Sequence, residues 1–225
     1  MSRKLGYLDA LKIFSPGRVV AGASHPVLEN LGNPYFKKIL TQTDQAILVL
    51  NHTNFQYEYV SDNVCGITGY TAQEFIAGGA ELSFKLIHSD DVHILNAIVY
   101  PAFYESLYTI PRECWTSIQQ SQTYRVRRKD GKYIQALQRC FPISFEGDKI
   151  LLGLLVVSDI SAYKKDNKVL YRNVLLEKGE PPVVLSFGAT DEPLFPNASW
   201  KYSGFARQAL LRKKLHTVFR SAFSP

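Results

Sequence analysis

The residues able to do chemistry are few and scattered. His88, Asp90, Asp91 and His93 lie together in IHSDDVHI, residue types that take part in acid–base chemistry, but no constellation there supports catalysis. The thiols Cys65, Cys114 and Cys140 are odd in number, widely spaced and without a CxxC pair. They build neither a disulfide framework nor a zinc knuckle, and read as partly buried free thiols. Arg125, Arg127, Arg128 and Lys129 form a basic cluster that could meet a phosphate backbone. In a strand of period two, Arg125 and Arg127 share one face and Arg128 takes the other, and a solvated strand face explains them more simply than nucleic acid does. Asp90 and Asp91 stand where acidic side chains stabilise a helix start. No glycine-rich phosphate loop follows a strand, and no nucleophile has a base placed beside it by spacing alone. No catalytic residue and no metal site is expected, and the chain is not expected to be an enzyme.

The elements that would carry these residues follow from periodicity and turn chemistry. Residues 46–50 are an apolar run and 55–60 alternate, with His52, Thr53 and Asn54 between them, so the pair predicts a hairpin. Helical spacing then takes over through Val64, Ile67 and Phe75. Thr71 and Glu74 spell a capping box, and Gly78-Gly79 ends that helix. A longer helix is predicted over about 92–104. Segments 122–128, 132–142 and 149–159 alternate again, separated by Asp130-Gly131 and Glu146-Gly147-Asp148. Two strands, a group of short helices and a three-strand meander imply an α+β fold with an antiparallel sheet, not a βαβ fold.

Four segments carry a family resemblance. YVSDNVCGITGYTAQEFI (59–76), IHSDDV (87–92), YRVRRKDGKYI (124–134) and SDIS (158–161) resemble, in order, the motifs of bacterial PAS sensor domains. Ser89 replaces the usual proline, and Gln135 stands where a tryptophan often follows. The resemblance implies a five-stranded antiparallel sheet with short helices on one face and a concave surface that holds a small ligand or a packed core. It makes Tyr57, Phe75, Phe103, Trp115 and Tyr124 the candidates for lining that surface, since rings bury much area at little entropic cost. Some relatives bind haem through a helix histidine, but His88 and His93 read as surface residues. Cys65 lacks the asparagine-cysteine-arginine-phenylalanine context of flavin photoreceptors. Haem and flavin are not expected, and the identity of any cofactor stays open.

The expected organisation is an N-terminal extension (1–37), a PAS domain (38–165), a signalling helix and linker (166–192) and a basic tail (193–225). Asp159 and Ser161 are the expected signal relay: Ser161 would cap an outgoing helix in which Tyr163, Leu170 and Val174 approach heptad spacing. Glycine and prolines at 179–182 stop that helix after about two heptads, too short for a self-sufficient coiled coil. The net charge of +6 belongs wholly to the tail, because the 20 basic and 20 acidic residues before Pro193 cancel. Read one frame away, the codons of 196–216 permit a string resembling the start of a LuxR-type helix-turn-helix. The tail as written has no clear period and is expected to be disordered.

These readings imply the regulatory, ligand- or partner-sensing module of a transcriptional regulator, with its DNA-binding end truncated or out of frame. A sensor of histidine-kinase type and a ligand-free PAS dimerisation scaffold are the alternatives. A homodimer through the PAS domain and flanking helices is expected, with no DNA binding by the chain as written. No apolar run reaches the ~18 residues of a membrane span and no secretory signal opens the chain, so a cytoplasmic location is expected.

Overall fold

A computed structural model describes residues 26–31 and 33–190. The expectations for the first 25 residues and for the tail after 190, including the out-of-frame reading, lie outside the described residues. Two short helices, α1 (Pro26–Leu31) and α2 (Pro34–Leu40), come first. Asn33 caps α2 by accepting from the Tyr35 amide, and Pro34 sits in the first turn, where its missing N–H costs nothing.

The hairpin β1 (Gln45–Asn51) and β2 (Gln56–Val60) forms where alternation predicted it. Helices α3 (Val64–Thr68) and α4 (Ala72–Leu86) follow, and the Thr71–Glu74 capping box starts α4 with both of its bonds in place. Gly79, at φ 56° and ψ −159°, is non-helical, so the helix begun at Thr71 breaks where Gly78-Gly79 was expected to end it and a second stretch continues across the kink to Leu86. A Cβ there would lie 2.8 Å from the Phe55 carbonyl oxygen, so only glycine lets the helix approach the β1–β2 turn. The next helix is longer than the sequence predicted. It comprises α5 (Ser89–Ile94), a π-helical turn (Leu95–Val99) and α6 (Tyr100–Thr109), and a 3-10 segment (Arg112–Ser117) leads on to the sheet.

Strands β3 (Ile118–Arg127), β4 (Tyr133–Glu146) and β5 (Lys149–Asp159) make the predicted meander. The antiparallel fold class stands, but the sheet has seven strands where five were expected, in the order β2-β1-β5-β4-β3-β6-β7. The two additional strands, β6 (Val169–Leu175) and β7 (Val183–Thr190), occupy the stretch assigned to a signalling helix. Heptad spacing misled there. Val169 is buried, Leu170 exposed, Tyr171 half-buried, Arg172 exposed and Asn173 buried, a period of two until a bulge between Asn173 and Val174. The domain boundary expected at 165 therefore falls inside a continuous sheet.

β6 covers only half of the β3 edge, pairing with residues 118–122. The other half is taken by the junction of α4 and α5: Ile87 bridges Val126, and the His88 amide donates to the Arg125 carbonyl. Each half of that ladder thus finds partners, which keeps its backbone groups from being stranded. The main core lies between β1, β3, β4, β5 and the helices, and includes Leu48, Leu50, Phe75, Leu95, Tyr124 and Leu155. A second core gathers Phe103, Leu107, Trp115, Ile118, Leu175 and Leu185 under the added hairpin.

Candidate functional site

Between the sheet and the helices lies a cavity of about 110 Å³. Strands supply its walls through alternate residues: Ala46, Leu48 and Leu50 from β1, Tyr124 and Val126 from β3, Gln138 and Cys140 from β4, Leu155 and Val157 from β5. Phe75, Ala80 and Ser83 of α4 and Tyr100, Phe103 and Tyr104 of α6 close it. Four of the five predicted lining aromatics, Tyr57, Phe75, Phe103 and Tyr124, border this space. Trp115 does not. Its indole packs on Phe145 at 5.2 Å and Tyr108 at 5.8 Å in the second core, because the 3-10 segment that carries it lies beyond the end of α6.

Among the described residues no aspartate, glutamate, lysine or arginine borders the cavity. Most of its polar groups pair with one another or with backbone. The Tyr57 and Ser83 hydroxyls lie 2.6 Å apart, the Tyr124 hydroxyl donates to Gln138 Oε1 at 2.6 Å, and Gln120 Nε2 donates to the Val99 carbonyl. Burial pushes the Tyr57 hydroxyl and the Cys140 thiol up to about 12 each, so both stay protonated at neutral pH.

His52 is the residue that sequence reasoning passed over as turn chemistry. Both its ring nitrogens are sealed from solvent and neither has a hydrogen-bond partner. Burial lowers its pKa from 6.5 to about 4, so the ring is neutral at pH 7. The ring rests over Gly153, where a Cβ would come within 2.9 Å of Nε2 and 3.8 Å of Cys140 Sγ. Gly153 pairs with Leu50, two residues before His52, so no local spacing in the sequence pointed to this contact.

Asp90 and Asp91 were expected to cap a helix and Arg125 to be solvated; the structure corrects both. His88 Nδ1 caps α5 by accepting from the Asp90 amide. Asp91 is 1% exposed and accepts from the Arg125 amide at 2.6 Å and from its guanidinium at 2.6 and 3.2 Å. Arg128 donates to the carbonyls of Gly66 and Ile67, and Lys129 pairs with Glu74. Of this cluster Arg127 and Lys129 remain exposed, Lys129 while paired with Glu74, so the basic hairpin serves mainly to dock β3 and β4 against α3, α4 and α5. His88 and His93 do not border the cavity, and neither does Cys65, which is exposed. Among the described residues no three of His, Cys, Asp and Glu gather as a metal site, and no helix is long and apolar enough to cross a membrane.

Asp159 and Ser161 tie a turn rather than starting a helix. Asp159 Oδ1 accepts from the Ser161 amide and hydroxyl, and Ser161 Oγ accepts from the Gln135 amide. Ser161 is thus committed to β4, which leaves residues 160–168 to cross from β5 to β6.

Residues 57–155 match the family described as PAS fold. This segment has the PAS fold. Solved structures similar to the chain include the N-terminal domain of a diguanylate cyclase with PAS/PAC sensor from Marinobacter aquaeolei, 14% identical, covering 52% of this chain and 96% of that one at a TM-score of 0.39. A sensory box histidine kinase/response regulator from Burkholderia thailandensis is 19% identical, over 56% of this chain and 85% of that one, at 0.40. The PAS domain of a Colwellia psychrerythraea protein is 16% identical, over 57% and 98%, also at 0.40. No curated protein matches the chain. The β6–β7 hairpin falls outside the matched segment and is packed onto it as part of the same sheet.

Proposed function

We propose that the chain is a sensor whose PAS domain binds a small molecule in the cavity and passes the change to the β6–β7 hairpin. The observation that carries this reading is the uncharged, aromatic-lined cavity itself, the kind of concave apolar site that small ligands fill. A path to the hairpin is available. Phe103 and Ile150 border the cavity and also belong to the second core, where they meet Leu175 of β6 and Leu185 of β7. One turn along α6, the Ser106 hydroxyl lies 2.9 Å from that of Ser186, which accepts from Asn173 Nδ2 at 2.9 Å. A ligand that favours one position of α6 thereby favours one position of the hairpin. The Asp159–Ser161 turn is a second relay, since it fixes where the chain leaves β5.

In this reading the chain is non-enzymatic and belongs to a transcriptional regulator, the output suggested by the alternate frame of residues 196–216. It works as a homodimer, for which Leu170 and Phe187, exposed on one face of the hairpin, offer apolar surface. Native mass spectrometry of the protein from its expression host tests binding, and amide exchange tests relay. The expected result is a stoichiometric small molecule whose removal alters exchange in residues 169–190. An empty protein in repeated preparations, or changes confined to the cavity strands, overturns the proposal.

A further inference from the structure

Resting on that reading, we infer that the cavity selects an uncharged, single-ring ligand bearing one hydroxyl-like group, and that His52 is the residue that reads this group. Three observations converge on it. The space of about 110 Å³ is somewhat smaller than the roughly 150 Å³ apolar cavity that takes up benzene in a well-studied engineered protein, so one substituted ring fits and a fused polycycle does not. Among the described residues no charged side chain borders it, so an ionised ligand would lose its hydration with no opposite charge there to meet. The third observation is the state of His52: alone among the lining side chains, it has ring nitrogens that are both buried and unpaired.

A neutral imidazole offers one donor and one acceptor. A hydroxyl can satisfy either nitrogen, whichever tautomer is present, whereas a carboxylate can only accept and an ammonium can only donate. Tyr57, Ser83, Tyr124 and Gln138 already satisfy one another, which leaves the imidazole as the open polar contact. Gly153 holds this arrangement by leaving room for the ring beneath it. The ligand therefore lies with its polar end toward the β1–β2 turn and its ring among the aromatics of α4 and α6.

The test is a titration of the full chain at pH 7.5, followed by NMR, with toluene, phenol, benzoate and benzylammonium. Toluene and phenol have nearly the same shape and differ by the hydroxyl. In the wild-type protein both bind, and benzoate and benzylammonium bind at least about tenfold more weakly. In His52→Phe toluene still binds, and the ratio of phenol to toluene affinity falls by about tenfold, the value of one buried hydrogen bond. If the variant fails to fold, the imidazole nitrogen shifts of His52 in the wild-type protein decide instead: phenol must move them more than toluene does. An unchanged ratio, equal nitrogen shifts, or preferred binding of a charged probe overturns the inference about His52 while leaving the ligand-binding cavity in place. Failure of all four probes to bind overturns both.

Discussion

Acid should destabilise this protein through His52, and the size of the effect follows from its burial. The ring titrates near 6.5 in the unfolded chain and at about 4 in the fold. Between these values the unfolded chain carries the proton and the folded one does not, so lowering the pH favours unfolding. The contribution is complete above pH 6.5 and is lost progressively as the pH falls toward 4. The full shift corresponds to about 3 kcal/mol, of which about 2 kcal/mol is lost between pH 7.5 and pH 5. That interval lies above the ordinary carboxylate range, so His52 is isolated from most acid effects. Urea unfolding at the two pH values, in wild type and in His52→Phe, measures the difference. The variant replaces a buried neutral ring by an apolar one and should lose about 2 kcal/mol less over the same interval. Equal losses in the two proteins would mean that the imidazole is hydrated in solution, and the description of its ring nitrogens as sealed from solvent would fail.

Other substitutions probe the supports of the site. Arg125→Met leaves the buried Asp91 carboxylate with the backbone amide of residue 125 but no guanidinium, and should cost about 3–5 kcal/mol in urea unfolding, with part of the loss recovered on adding Asp91→Asn. Gly79→Ala puts a Cβ into the Phe55 carbonyl at a backbone conformation reserved for glycine; a loss of at least about 2 kcal/mol is expected, and a neutral result would show that α4 is free to straighten. Leu185→Ala should cost about 2–3 kcal/mol and lower the midpoint of one shared transition, since the hairpin shares a core with the rest of the sheet and its helices. Separate transitions, by far-UV circular dichroism and tryptophan fluorescence, would show the hairpin to be an independent unit.

Much of the fold was legible because local signals agreed with it. The Thr71–Glu74 box, the Asp130-Gly131 turn, the apolar run of β1 and the alternation of β2, β3, β4 and β5 each have a local cause, and each appears in the structure. The β6 strand was hidden because Asn173, a polar residue, occupies a buried position and a bulge breaks the alternation after it. The Arg125–Asp91 pair joins residues 34 apart, and nothing local distinguishes a buried carboxylate from a capping one. The same holds for the site. Aromatic type predicted four wall residues, but the distance of Trp115 from the cavity depends on where a 3-10 segment falls. His52 could be singled out only once Gly153 was seen to lie under it.

The π-helical turn at residues 95–99 has a consequence for how the two cores are kept in phase. Such a turn holds one residue more than an ordinary helical turn, and an α-helix rotates about 100° for each residue. Were residues 95–99 to wind as ordinary α-helix with none removed, the additional residue would swing α6 around its axis by more than a quarter of a circle. Tyr100 and Phe103 would then leave the cavity, and Ser106 would turn away from Ser186. The extra residue acts as a fixed angular offset between the part of the helix that docks on β3 and the part that meets the hairpin.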